Sequence, residues 1–412
     1  MATQIHTRTR RLTVLRAAAM FDGATSTLTA NPVVVIDAGR IVAVHTAAEP
    51  IPDGAHVVEL FGATLIPGLV DTHIHLCFDA SDDPVGHLAV MDDDTLRQHM
   101  AAAARRALQA GVTTVRDLGD RNYLSLELRD RSSASGPLPT IIAAGPPITS
   151  PGGHCHFLGG VADGIDGARA AVRERAERGV DVIKVMASGG NMTEGPRPHE
   201  PQYGVEILQA IVDEAHRHGL PVTAHAHSAQ SIADAVAAGV DGIEHATFMT
   251  ANGVDAPDHV IRAIVDRRIA IGSTVGREPG HRGTPPPAIA SRMGDLIANR
   301  RRLHQSGALI IGGSDAGVAP IKPHDVLRFA PDDLVETGMS PAEALWAVTS
   351  RAMQVCGVGH CKGRIAVGFD ADILAIDGDP LENVASIRKV RAVYASGLPV
   401  SPSARLAYIE AR

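Results

Sequence analysis

From residue 64 onward the chain alternates short apolar runs with amphipathic stretches, the pattern expected of parallel strands joined by crossover helices. Strands are predicted at 64–75 (TLIPGLVDTHIH), 113–119, 140–148, 180–190, 221–228, 242–248, 270–275 and 309–317. Helices are predicted at 95–109, 166–178, 204–218, 229–238 and 288–306, several ending where Gly111, Gly179, Gly219, Gly239 or Gly307 suits a C-terminal cap. Eight such βα units over roughly 250 residues match the size of a TIM barrel. The flanks break the alternation: residues 12–62 and 363–400 read as short strands separated by turn signals. The expected architecture is therefore α/β, a (β/α)8 TIM barrel over 64–361. A small composite β-sandwich domain would be built from both chain ends, 1–63 and 362–412.

Polar residues interrupt the apolar runs at consistent places. His73 and His75 lie two apart in DTHIHL, so on a strand they share a face, near its C-terminal end. Lys184 sits inside VDVIKVMASGG, His225 in PVTAHAHS, His245 in GIEHATF and Asp315 in GGSDAG, each near the end of its predicted strand. That end of a TIM barrel is where active sites are built. A single strand-end histidine is usually a hydrogen-bonded structural residue, and an aspartate beside glycine can simply form a turn. A lysine in a buried run is harder to dismiss, because desolvating an ammonium costs several kcal/mol, on the order of a full pKa-shifting penalty, unless it is paired or neutralised. Six such side chains at one rim point instead to a metal site; imidazole and carboxylate donors without thiolate suit zinc or another divalent first-row ion.

Composition narrows the field. Of 412 residues, 45% are hydrophobic, enough for a large core, and a formal charge of -8 leaves no basic footprint for nucleic acid. No apolar span reaches the length of a membrane helix. Cys77, Cys155, Cys356 and Cys361 form no CxxC pair, which fits reduced thiols in a soluble cytoplasmic protein acting on a small molecule.

The segments PGLVDTHIH, VIKVMASGG, VTAHAH, GIEHATF and GGSDAG, in this order, resemble the amidohydrolase superfamily over nearly the whole chain. Within it the sequence is most similar to the branch of prolidase-like dipeptidases and, more distantly, imidazolonepropionase. The resemblance implies that His73, His75 and Asp315 hold one divalent ion and His225 and His245 a second, with carboxylated Lys184 bridging them. Zinc is the expected metal, manganese or cobalt the alternatives. Imidazolonepropionase lacks the bridging lysine and uses one metal, so Lys184 favours the two-metal branch. Two ions bridging a water would supply hydroxide near neutral pH, and Asp315 would shuttle its proton to the leaving nitrogen of an amide-type C–N bond. The substrate would be a dipeptide, an N-acyl amino acid or a related small amide. Alternatives are a cyclic amide, a urea or carbamate, or a barrel that binds without catalysis.

The same resemblance makes His154, in the glycine-rich SPGGHCHFLGG, a contact for the substrate carbonyl or carboxylate, with His156 supporting the loop. Tyr203 would hold the substrate or, equally, pack on the rim; His227 would orient a ligand. The aspartates of loop 77–94 read as a solvated surface in preference to a site for a cationic substrate. Arg277, His281 and Arg282 are candidates to pair with a substrate carboxylate. A homo-oligomer is expected.

Overall fold

The structure is a computed structural model that describes residues 12–46, 50–131, 136–279 and 287–400. Five strands come first: β1 (Thr13–Met20), β2 (Thr29–Ala30), β3 (Pro32–Asp37), β4 (Arg40–Thr46) and β5 (His56–Pro67). Eight follow in the alternating region: β6 (Leu69–Ile74), β7 (Val112–Asp117), β8 (Thr140–Ala143), β9 (Ile183–Met186), β10 (Val222–Ser228), β11 (Gly242–Met249), β12 (Ala270–Thr274) and β13 (Leu309–Gly313). The chain closes with β14 (Ile373–Asp377), β15 (Val390–Ala395) and β16 (Leu398–Val400).

Each of the eight predicted strands overlaps an observed one, and the eight pair in parallel as a five-stranded sheet, β13-β12-β11-β10-β9, and a three-stranded sheet, β6-β7-β8. Isolated parallel bridges join Ile74 of β6 to Ala316, just past β13, and Ile148, just past β8, to Val185 of β9. β6, β7 and β9 are buried at every position, as parallel strands covered on both faces must be. The connecting helices bury one stripe each; Asp92 caps the helix Asp93–Gln109 by accepting from Thr95 N at 2.8 Å, and Ser340 with Glu343 forms a capping box on Pro341–Ala347. The predicted helix 288–306 is divided into Pro287–Ala290 and Met293–Gln305. Helices at Pro84–Val90, Leu124–Asp130 and Asp258–Asp266 were not predicted.

Strands from both chain ends share one eight-stranded sheet, ordered β16-β15-β14-β5-β1-β3-β4, with β2 beside β1. β5 pairs with β1 in parallel and with β14 antiparallel, and so joins the N-terminal strands to the C-terminal ones. Thr64–Pro67, expected to open the first inner strand, instead completes β5 against β14. The break falls at Gly68, which donates its N–H to Asp372 O and passes so close to β7 that a Cβ there would lie 2.2 Å from Thr113 Oγ1. Among the described residues no helix is long and apolar enough to cross a membrane, and all four cysteines are free thiols.

Candidate metal centre

The end of β6, the middles of β10 and β11 and the turn after β13 deliver their polar side chains to one place, so His225 and His245 lie mid-strand and not at the strand ends expected. His73 and His75 emerge from β6 with ring centroids 5.2 Å apart. His73 Nδ1 lies 2.9 Å from Glu244 Oε2 and His75 Nδ1 lies 3.2 Å from Gly119 O. A carbonyl only accepts, so the His75 proton is on Nδ1, and an ionised Glu244 imposes the same on His73. Both Nε2 atoms then keep their lone pairs. Those atoms stand 3.5 and 3.4 Å from one oxygen, Asp315 Oδ1.

A second group stands beside the first. His225 Nε2 donates to Gly189 O at 3.1 Å, which leaves its Nδ1 lone pair facing His245 Nε2 at 3.0 Å. His245 Nδ1 is bonded to Thr274 Oγ1 and His227 Nδ1 to Thr247 Oγ1. His225, His227 and His245 present nitrogens within 4.8 Å of one another, as do the ligand atoms of His73, His75 and Asp315. Two donors held by a tetrahedral zinc at 2.0–2.1 Å lie roughly 3.3 Å apart. The 3.5 and 3.4 Å from His73 and His75 to Asp315 and the 3.0 Å between His225 and His245 are close to that value, so the donor sets fit ions.

Electrostatics point the same way. Burial brings His73 and His227 down to about 4 and His154 to about 3, and it pushes His225 and His245 well below the usual imidazole range. All five are therefore neutral near pH 7, the form that binds metal. Burial would raise the Asp315 carboxyl, but its polar surroundings, His75 and His73 and then Lys322, outweigh it and keep Asp315 ionised. Lys184, on β9, is 1% exposed and its Nζ has no hydrogen-bond partner. Burial lowers its pKa to about 8 against the opposing carboxylates of Glu244 and Asp315. A buried amine without a partner is costly to keep charged, which is why its pKa falls.

His245 and Asp315 both occupy the left-handed region, with φ of 68° and 59°. Each such non-glycine conformation costs on the order of 1–3 kcal/mol and persists where packing over-determines it, commonly at functional sites. For Asp315 the constraint is visible: its N–H donates to His73 O at 2.7 Å, locking the turn after β13 onto β6.

Of the remaining predicted residues, His154 is buried with its ring 4.7 Å from that of His225 and its Nδ1 unpartnered, so it joins the cluster. His156 is exposed and bonds back to Gly153 O, within its own loop. Tyr203 is buried and its hydroxyl donates to Ala162 O at 2.7 Å, which ties down the end of the glycine-rich loop. His227, expected to orient a ligand, stands within the second donor group itself. Asp83 and Asp92 cap helices, Asp79 pairs with His87, and Asp93 with Arg121, so these acids of the 77–94 loop are spent on local structure. Arg277 is exposed, and His281 and Arg282 lie outside the described residues.

Glu244 was missed. It is buried on β11, where its carboxylate accepts from Arg116 (2.8 Å) and Thr223 Oγ1 (2.6 Å) as well as contacting His73. Burial alone would raise its pKa; Arg116 and His73 instead hold it far below the carboxylate range. Gly272 on the adjoining β12 makes room, since a Cβ there would stand 2.0 Å from Glu244 Oε2. The signal was available: an acid inside the apolar run GIEHATF is as anomalous as the lysine in VDVIKVM.

Comparison with known proteins follows the same lines. The profile of the amidohydrolase family matches residues 64–400. Ochratoxinase of Aspergillus niger is 28% identical over 374 residues, covering 80% of this chain and 73% of that protein. The structure is similar to that of a Xaa-Pro dipeptidase with methionine bound in its active site, with a TM-score of 0.84, 26% identity, and coverage of 94% of this chain and 99% of the other. It shares its fold with phenylurea hydrolase B, at a TM-score of 0.82, 24% identity, and coverage of 95% and 97%.

Proposed function

The chain belongs to the amidohydrolase family, and from that premise we propose that it hydrolyses an amide-type C–N bond of a small substrate at a centre of two divalent ions, zinc by preference. His73, His75 and Asp315 would hold one ion, His225 and His245 the other with His227 beside them, and carboxylated Lys184 would bridge the pair. The observation that carries this reading is the unpartnered Lys184 amine, buried alongside two groups of lone-pair donors. Carboxylation would turn an uncompensated buried group into an anion with two oxygen donors. Divalent ions held there would acidify water and polarise a carbonyl.

Asp315 is ionised and borders the centre, so it can take the proton of an attacking water and return it to the leaving nitrogen. His154, buried with a free Nδ1 beside His225, would hydrogen-bond the substrate carbonyl or carboxylate. Tyr203 would act by fixing the loop that carries His154. A dipeptide or N-acyl amino acid is the substrate class we favour, in view of the similarity to a Xaa-Pro dipeptidase whose site holds an amino acid.

In the architecture we propose, the eight parallel strands close as one barrel, consistent with the bridges from Ile74 to Ala316 and from Ile148 to Val185. The terminal sheet would fold over as a sandwich, since Leu15, Val34 and Ile36 pack in one core with Ile373, Ala375 and Tyr394. We would divide the chain into 1–63 with 362–412 and 64–361, although β5 runs past the first boundary to Pro67. A cytoplasmic homo-oligomer completes the reading.

The test joins metal analysis to turnover. Purified protein should carry about two ions per chain by plasma mass spectrometry and hydrolyse members of a panel of Leu-Pro, N-acetyl-methionine and phenylurea. Asp315→Asn should keep the circular-dichroism spectrum and lose about 10²–10⁴-fold in kcat. Substoichiometric metal with no hydrolysis after adding zinc or manganese, or an Asp315→Asn enzyme of undiminished rate, would overturn the proposal.

A further inference from the structure

At the opposite end of the parallel strands from the metal centre lies a crevice of about 530 Å³, within the range of small-molecule sites, roughly 300–1,000 Å³. Its walls come from the starts of β10, β11, β12 and β13 and from the helix Ser350–Val355. Pro221, Leu309 and Val355 give it accessible apolar surface, backed by the buried Val222, Val240 and Ile269. Four guanidiniums line it, those of Arg116, Arg267, Arg268 and Arg351, against a single carboxylate, Asp241. In a chain with a net charge of -8 this is a marked local reversal.

The charges do not cancel locally. Asp241 is engaged by Val222 N at 2.7 Å and His216 Nε2 at 2.9 Å, and Arg116 by Thr72 O and Glu244. Arg267 donates to Val236 O. Among the described residues the side chain of Arg268 has no hydrogen bond or ion pair, its backbone N–H alone donating to Val265 O at 3.0 Å. Arg351 makes one long bond, 3.4 Å to Ile310 O. Glu343, on a second crevice that shares Arg268 and Arg351, is committed to Ser340 through its Oε2. Burial lowers the Arg351 pKa, with Glu343 alone opposing it. Two guanidiniums thus line the hollow: the Arg268 side chain has no partner among the described residues, and Arg351 has the Glu343 charge nearby but no ion pair with it.

We propose that this crevice binds a small organic carboxylate, its charge held by Arg268 and Arg351 and its apolar body by Pro221, Leu309 and Val355. Planar guanidinium forks match a carboxylate in two parallel bonds, whereas an inorganic oxyanion would leave the apolar wall uncovered. The site is separate from the metal centre, and its occupancy does not depend on the reaction assigned there.

Isothermal titration of the metal-loaded full chain with benzoate tests the inference, with benzyl alcohol and inorganic phosphate as comparisons. Benzoate should bind at least tenfold more tightly than either comparison. Its affinity should fall at least tenfold in Arg268→Ala and in Arg351→Gln and stay unchanged in Asp315→Asn. Arg268 is exposed, so its variant keeps the test valid should Arg351→Gln fold poorly. Equal affinity in wild type and both arginine variants, equally tight benzyl alcohol or phosphate, or loss of benzoate in Asp315→Asn alone would overturn it; the last would place the carboxylate at the metals.

Discussion

Glu244 touches no reacting atom on this reading, yet it governs one that does. By accepting the Nδ1–H of His73 it sets the tautomer that frees Nε2, and Arg116 and Thr223 keep its carboxylate turned that way. Carboxylates behind ligating histidines raise ligand basicity, and removing them commonly costs about 10–100-fold in metal affinity. Glu244→Gln should therefore weaken metal binding by that factor in a chelator-competition assay. Thr223→Val, which removes one of the carboxylate's supports and leaves the His73 contact, should weaken it less. An unchanged affinity in Glu244→Gln would show that His73 needs no such partner.

Among the elements, the C-terminal strands depend on a buried ion pair that lies away from the site. Lys362 Nζ lies 2.6 Å from Asp372 Oδ2 and 2.8 Å from Asp370 Oδ2, just before β14. Asp372 also accepts from Ser396 N at 2.7 Å, and its carbonyl holds Gly68, so one cluster links the last strands to the break between β5 and β6. Removing one member of a buried pair typically costs about 3–5 kcal/mol, and Lys362→Met should destabilise the protein by about 3 kcal/mol in denaturant titrations. Burial would lower the Lys362 pKa, but Asp372 and Asp370 raise it above 10.5. A cation with a raised folded pKa contributes fully below its unfolded value and loses that contribution as pH rises through the folded one. The gap between wild type and Lys362→Met should thus be constant from pH 6 to 9 and narrow only above about pH 10.5. A gap that already closes between pH 6 and 9 would assign the stability to something other than this pair.

At the scale of the whole molecule, the donors come from β6, β9, β10, β11 and the turn after β13, which belong to both parallel sheets. Ions held there would bridge parts of the chain that are more than 200 residues apart, and any ligand of the native state alone stabilises it by mass action. At a free ion concentration a hundred times Kd this amounts to about 2.7 kcal/mol per ion. For a chain of this length that corresponds to a rise of about 3 °C in Tm for each ion. Calorimetric scans before and after dipicolinate treatment should differ accordingly, with zinc restoring the loss. Identical melting of the two forms would mean that the folded protein holds no tightly bound metal.

Much of this was legible from order along the chain. Short apolar runs alternating with amphipathic stretches announced the parallel strands, and the two-residue spacing of His73 and His75 put both on one face. Lys184 betrayed itself because a cation inside an apolar run has no cheap explanation. Those signals are local: they depend on each residue's own strand and on nothing that strand meets. What the strands meet was decided only by the tertiary structure. The link from Asp315 to His73 across 242 positions, the entry of His227 into the second donor group, the partner that makes Glu244 useful, and the transfer of Thr64–Pro67 to the terminal sheet all follow from which strands lie side by side. Strand neighbours are set by collective packing of the core, where a lone residue's polarity carries little information, and so the site's ingredients could be read one by one while their pairing could not.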